Sequence, residues 1–221
     1  LMNHPATPYV APFAAFMLLL VLAPYWPWDP RLEQYVRVAI LAGVIWFFSR
    51  PVLDFRCAAP VQSIAVGIGI WLLWIAPDTL FPGYRQHWLF TNSITGKVSS
   101  SIPPEALGAT GVLVFRTLRA ALLVPILEEL FWRGWLMRWL INPDFEKVKL
   151  GTYSLSAVLI TAVLFASEHG PFWEVGLVTG LIWGLWMVRT KRLGDLFLTH
   201  GVANLCLSVF TIYTGRWEYW M

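Results

Sequence analysis

The sequence predicts an all-α fold, a polytopic bundle of about seven or eight membrane-spanning helices. Hydrophobic residues occupy 57% of the 221 positions, charged residues only 13%, and the mean hydropathy is +0.61. A soluble domain rarely has this composition. Because a spanning helix needs roughly 20 mostly apolar residues, the chain accommodates about six to eight spans with short connections. We therefore expect one membrane domain, residues 1–221, without a sizeable soluble part.

The candidate spans are uninterrupted apolar segments that are separated by turn-forming or charged residues. They are residues 10–25, 35–48, 61–76, 106–140, 153–168, 172–188 and 193–213. The fourth segment is too long for one crossing and has Pro125 in its middle, together with Arg116 and Arg119. Such a segment is either kinked or split into two helices, so both seven and eight spans fit.

Residues 77–104 form the one long connection, and their polar part predicts an interfacial piece or a lid. This connection separates N-terminal helices and loop, residues 1–104, from residues 105–213, which carry the polar motifs described below. No repeat or low-complexity tract accompanies this division, which weakens an inverted-repeat transporter interpretation.

The net charge of +3 and the isoelectric point near 9.0 come from Lys and Arg scattered in short loops. This distribution is typical of a membrane protein and not of a nucleic-acid surface, so we expect a lipid bilayer and no nucleic acid as partner. With a single crossing for the fourth segment, the positive charges favour a cytoplasmic N-terminus. Cys57 and Cys206 lack the spacing of redox or zinc motifs and are predicted to be structural thiols.

The first motif places two adjacent carboxylates, Glu128 and Glu129, inside an apolar run, with Arg133 following. A charge near the bilayer centre costs roughly 2.5 to 3.5 kcal/mol on insertion scales, so such residues usually face a cavity or a partner. Glu129 and Arg133 stand four apart on one helix face and can pair structurally, whereas Glu128 points about 100° away. Glu128 has no partner on its own helix and is therefore predicted to be functional.

Two further motifs pair polar residues at helical spacing in later apolar segments. Phe165 and His169 lie one turn apart, as do His200 and Asn204. An unpaired polar group in hydrocarbon costs several kcal/mol, so these side chains need partners. A structural role remains open for each pair, as a helix cap for His169 and as an interhelical hydrogen bond for His200 and Asn204.

The combination of E-E-x-x-x-R, F-x-x-x-H and H-x-x-x-N, in this order on three apolar helices, resembles a known family of membrane proteases. It is the CaaX prenyl endopeptidase and bacteriocin-processing (CPBP, Abi) family of intramembrane glutamic proteases. The resemblance covers residues 106–208, and the three N-terminal segments match no pattern that we recognise. Length and motif context are similar to small bacterial CaaX protease-related members, some of which accompany exosortase-type sorting systems. This implies a multi-pass protein of the bacterial inner membrane.

The resemblance implies an endopeptidase in which a glutamate and a histidine activate water, while a second histidine and an asparagine stabilise the oxyanion. The implied catalytic residues are Glu128, His169, His200 and Asn204, and the implied supporting residues are Glu129, Arg133 and Phe165. No cofactor is implied. The substrate would be a protein or peptide cut near its C-terminus or in a membrane-proximal segment. The family name implies prenylated substrates, although nothing in the sequence identifies a prenyl pocket.

Several alternatives stay open. Glu128, His169 and His200 are potential zinc ligands, although no H-E-x-x-H motif is present. A non-catalytic immunity or sorting partner of the same fold would use the cavity only to hold a peptide, and a transporter would also explain intramembrane charges. Glu168, next to His169, is left outside the predicted core site as a capping or supporting carboxylate.

Overall fold

The computed structural model describes residues 4–26 and 29–220, and the regular elements in these ranges are helices. The predicted all-α fold is therefore confirmed. The main helices are α1 Thr7–Leu22, α2 Pro30–Val44, α3 Pro60–Leu80, α4 Thr110–Trp139, α5 Leu155–Ser167, α6 Trp173–Thr190 and α7 Leu193–Thr214.

In the described ranges, six of these helices, some extended at one end by π or 3₁₀ turns, are long and apolar enough to cross a bilayer. The exception is α5, which is apolar but has only 13 residues. Every predicted apolar segment corresponds to one helix, and the protein is an integral, multi-pass membrane protein. The predicted count of about seven or eight is close to the observed six long helices and one short one.

The fourth segment is one continuous helix of 30 residues, which decides between the two alternatives, kinked or split, against the split. Two stretches of π-helix, Arg119–Leu123 and Leu130–Leu136, interrupt its α-helical hydrogen-bonding pattern. Pro125 lies just after the first of them, where the altered pattern tolerates the missing backbone N–H. The two adjacent glutamates lie between these π turns, which are frequent neighbours of functional sites.

Glycines allow the closest helix contacts. A side chain on Gly67 of α3 would come within 2.5 Å of the Thr199 carbonyl oxygen on α7. On α6, a Cβ at Gly180 would lie 3.0 Å from the Ala162 Cα on α5. The bundle therefore pairs α3 with α7 and α5 with α6.

Asp195, which is fully buried in the first turn of α7, fixes the beginning of α3. Its carboxylate accepts hydrogen bonds from the backbone N–H groups of Ala58 and Ala59 at 2.6 and 2.9 Å. It also accepts from the Ser63 hydroxyl at 2.8 Å. These contacts satisfy backbone donors at the α3 N-terminus, which an Ala-Pro start cannot cap with its own side chains.

The long connection is anchored by Arg85, whose side chain is only 8% exposed. The Arg85 guanidinium donates to Asp78 at 3.1 Å, to Glu174 at 2.8 Å and to the Pro171 carbonyl at 2.6 Å. It also lies 4.1 Å from the centre of the Phe172 ring. The connection is thus fastened to the beginning of α6, close in the chain to His169. Its role as a lid remains a prediction, as does the division of the chain near residue 104.

Replacing Arg85 with Met should destabilise the protein by about 3 kcal/mol, because Asp78 and Glu174 would lose their buried cation. Thermal unfolding of the purified protein in detergent measures this effect. The matched control is Arg56→Met, which removes an ion pair whose arginine is 80% exposed and should cause no measurable shift. An equal, small shift for both variants would contradict the anchoring role of Arg85.

Candidate active site

One cavity of about 310 Å³ lies between α1, α3, α4, α6, α7 and the end of α5. Glu128, His169, His200 and Asn204 all line it, although they come from three separate stretches of chain. The structure therefore brings together the four residues that sequence motifs predict to be catalytic. Their roles stay predictions, and the geometry below defines what each side chain can do.

Glu128 is the carboxylate of the first motif that lines the cavity. It is 7% exposed, and within the described part of the chain its Oε2 atom has no hydrogen-bond partner. A buried carboxylate oxygen without a partner is costly unless water or a ligand reaches it. Because Glu128 lines the cavity, its carboxylate lies next to the place where a water molecule would bind.

Glu129 points to the other side of α4 and is fully buried. Its carboxylate accepts hydrogen bonds from Arg133 at 3.0 and 3.1 Å, as the spacing on the helix predicts. It also lies 2.9 Å from Nδ1 of His200 on α7. This second contact is not visible in the sequence, and it makes Glu129 the link between the first motif and the third.

Arg133 connects α4 to two further helices. Its guanidinium donates to the Gly180 carbonyl of α6 at 3.3 Å. The same group lies 5.0 Å from the centre of the Phe165 ring and 5.6 Å from that of Trp183, both distances at which a cation is attracted to an aromatic ring. Arg133 therefore braces the helices around the cavity instead of facing it.

His169 lies just after α5 and is oriented by a residue of that helix. Its Nδ1 atom lies 2.7 Å from the Phe165 carbonyl oxygen, and the centres of the Phe165 and His169 rings are 4.5 Å apart. Because a carbonyl oxygen can only accept, Nδ1 carries the hydrogen, and Nε2 of the neutral ring carries a lone pair. Gly176 of α6 leaves room for the imidazole, since a Cβ there would lie 3.3 Å from it.

His200 is held between a carboxylate and an aromatic ring. Its imidazole stacks on Trp183 at 4.1 Å, and its Nδ1 faces Glu129. The Glu129 carboxylate, already paired with Arg133, acts as acceptor, so Nδ1 of His200 carries a hydrogen. Nε2 then carries a lone pair in the neutral ring. It can donate a hydrogen bond only when the ring is doubly protonated.

Asn204 stands one turn after His200 on α7. Its Nδ2 atom donates one hydrogen to the Ala120 carbonyl of α4 at 2.9 Å. A carboxamide nitrogen has two hydrogens, so the second can serve a ligand in the cavity. The hydrogen bond to Ala120 fixes the orientation of the amide, and this also fixes the direction of the second N–H group.

The cavity also contains residues that the motifs did not predict. Arg116 and Arg119 stood out in the sequence only as charges in an apolar segment, and both line it. So does Glu168, which the sequence interpretation placed outside the core site. Trp74 and Trp183 contribute aromatic walls. No sequence signal separates these tryptophans from the many others in the chain.

The positions of the His, Cys, Asp and Glu side chains test whether a metal ion could bind. Among residues 4–26 and 29–220, no group of three or more His, Cys, Asp or Glu side chains has positions suited to a single metal ion. The zinc hypothesis therefore finds no preformed ligand set in this part of the chain, and we derive no step through a metal.

The fold and the cavity define a class of protein: a helical membrane protein with a cluster of acid, imidazole and carboxamide groups enclosed between its spans. Residues 110–206 match the family described as Type II CAAX prenyl endopeptidase Rce1-like, which confirms the resemblance for this part of the chain. The matched range includes all three motifs. No curated protein and no solved structure shows significant similarity to the chain.

Proposed function

We propose that the protein is an intramembrane endopeptidase that hydrolyses a peptide bond with water activated by Glu128 and His169. The observation that carries the proposal is that four polar side chains from α4, α7 and the end of α5 line the same cavity. Their match to a family of prenyl endopeptidases supports the reaction class. Glu128 and His169 are well suited to hold water, since each offers a lone pair toward the cavity.

In the proposed first step, the oxygen of a water molecule attacks the carbonyl carbon of the scissile bond. Glu128 takes one proton from that water through its unpartnered oxygen. His169 accepts a hydrogen bond from the water at Nε2 and so holds it in position. A general base placed within hydrogen-bond reach of its proton typically contributes about 10²- to 10⁴-fold in rate.

Asn204 and His200 stabilise the negative oxygen that forms on the attacked carbonyl. Asn204 donates the Nδ2 hydrogen that Ala120 does not accept. His200 donates from Nε2 only when doubly protonated, and the Glu129 carboxylate and the Trp183 ring face stabilise that charge. The proton held by Glu128 then passes to the leaving nitrogen as the C–N bond breaks, giving a carboxylic acid and an amine, and the acid passes its proton to the amine or to Glu128.

The substrate class that we propose is a protein or peptide within the bilayer, cut near its C-terminus or in a membrane-proximal segment. A hydrolytic site inside a membrane reaches such segments directly, whereas a soluble substrate would have to enter the bundle. We place the protein in a bacterial inner membrane, as the motif resemblance implies. Whether its substrates carry a prenyl group is to be measured on the peptides that the experiment below identifies.

The test compares purified wild-type protein with Glu128→Gln, each incubated with a detergent-solubilised membrane proteome. Mass spectrometry of new peptide termini should find cleavage products with wild-type protein that Glu128→Gln does not produce. Glu146→Gln, a change at an exposed loop carboxylate, is the matched control and should cleave as wild type does.

Three outcomes would contradict the proposal. Identical termini in all samples would indicate a non-catalytic partner, and loss of cleavage after exhaustive chelation, with recovery on adding zinc, would indicate a metal mechanism. Solute flux in proteoliposomes that persists in Glu128→Gln, without any cleavage, would indicate a transporter.

Asn204→Asp should lower the rate of cleavage by about 10²- to 10³-fold, because an acceptor would replace a donor at the oxyanion. Asp also loses the hydrogen bond to the Ala120 carbonyl, so thermal unfolding is measured beside the kinetics. In a variant that stays folded, the substrate KM should change little because the side chain keeps its size. Steady-state kinetics on a substrate from the proteome experiment measures both constants. A rise in KM at unchanged kcat would instead assign Asn204 to substrate binding.

A further inference from the structure

The cavity contains a positive charge that the proposed mechanism does not use. Arg116 and Arg119 lie three residues apart on α4 and are only 9% and 4% exposed. Both line the cavity that Glu128 and His169 line. Arg116 lies 5.4 Å from the centre of the Trp220 ring, a contact that holds its guanidinium in place.

Arg119 is the group that points to a ligand. Its Nε and Nη1 atoms are buried without a hydrogen-bond partner in the described part of the chain. Among residues 4–26 and 29–220, the acid that acts electrostatically on Arg119 is Glu33 of α2, and Glu33 is already paired with Arg37. A buried cation without its own counter-ion is costly, and binding an anion removes that cost.

We propose that Arg119, with Arg116 beside it, binds a carboxylate of the substrate and thereby positions the scissile bond against Glu128. This rests on the proposed function and adds a specificity-determining site to it. The guanidinium of arginine presents its N–H groups as a planar fork that matches the two oxygens of a carboxylate. Nε and Nη1 of Arg119 both lack an acceptor, and each belongs to one of the two carboxylate-binding edges of the guanidinium, in which its neighbour is Nη2.

The position of Arg119 favours a peptide over a phospholipid as the source of the anion. Arg119 and Glu128 are nine residues apart on one helix, or about 13 Å at the usual helical rise. An extended peptide covers that distance with about four residues. Arg119 and Glu128 line the same cavity of about 310 Å³, so a peptide segment that reaches Glu128 can also reach Arg119. The carboxylate is either the C-terminus of the substrate or an acidic side chain near the cleaved bond.

The experiment measures binding without cleavage, on full-length Glu128→Gln protein immobilised in detergent. The probes are three pools of short N-acetylated apolar peptides: one with a free C-terminal carboxylate, one with a C-terminal amide, and one amidated with a single internal Glu. Mass spectrometry of the retained peptides gives the ratio of acid to amide. We expect retention of the acid pool to exceed that of the plain amide pool by about tenfold.

Adding Arg119→Gln should reduce that ratio to near one, whereas Arg119→Lys should keep part of it. The matched control is Arg189→Gln, at an exposed arginine of α6, which should leave the ratio unchanged. If the Glu-containing amide pool is retained more strongly than the acid pool, and this retention depends on Arg119, then the source is a side-chain carboxylate. Retention of both Arg119-dependent pools supports the site in either form.

Equal retention of all pools, or a ratio that Arg119→Gln leaves intact, would overturn the proposal. A lipid ligand would also overturn it. In that case native mass spectra would show an anionic phospholipid bound to wild-type protein and absent from Arg119→Gln, and the peptide pools would show no preference for acids. If Arg119→Gln does not fold, the three peptide pools are tested on the Glu128→Gln protein and on the same protein with Arg119→Lys. Equal retention of all pools by the Glu128→Gln protein would contradict the site. So would an acid-to-amide ratio that Arg119→Lys does not lower. An acid preference without any proteome cleavage would overturn the proposed function alone.

Discussion

Glu128→Gln is expected to lower the rate of cleavage by about 10³-fold while leaving the protein folded. The change replaces a buried oxygen that has no partner in the described residues with an amide group that cannot take a proton. Neither Arg133 nor His200 bonds to Glu128, so the helix contacts around the cavity should persist. Single-turnover kinetics with a substrate from the proteome experiment measures the loss, and thermal unfolding measures the stability.

Two companion variants define what the loss means. Glu146→Gln removes an exposed carboxylate from a loop and should retain full activity. Glu128→Asp keeps the base but shortens it, so a partial loss is expected because the carboxylate no longer reaches the water fully. Activity of Glu128→Gln within about fivefold of wild type would exclude Glu128 as the base, since general bases contribute at least about 10²-fold.

The sequence predicted the helices well because each is marked by an uninterrupted apolar run that ends at Pro, Gly or charge. It also predicted contacts within one turn, such as Glu129 with Arg133, because helix geometry fixes which residues face each other at that spacing. For the cavity, the sequence could predict only that the polar groups on three helices must meet, and not its shape or its other lining residues. Hydrocarbon leaves such groups no other partners.

The remaining features depend on contacts between distant parts of the chain. The bond from Glu129 to His200 joins residues 71 positions apart, and no spacing rule predicts it. Trp183 became the stacking partner of His200 only through the packing of α6 against α7. Whether α4 is one helix or two stayed open for a local reason. Stretches of π-helix adjust the backbone around Pro125, and they leave no mark in the composition of the sequence.

Glu129→Gln is expected to destabilise the protein by about 3 to 5 kcal/mol and to abolish most of its activity. The substitution removes the carboxylate that faces both Arg133 and His200, and it leaves the arginine as a buried charge without an acid. Thermal unfolding in detergent reports the first effect, and cleavage kinetics below the unfolding temperature reports the second.

The double variant Glu129→Gln/Arg133→Met separates the two duties of Glu129. Removing both charges of a buried pair is often close to neutral, so most of the lost stability should return. Activity should not return, because the His200 ring would still lack the carboxylate that orients it and stabilises its protonated form. Recovery of stability and activity together would show that Glu129 serves only as the counter-ion of Arg133, and His200 would then have to act without it.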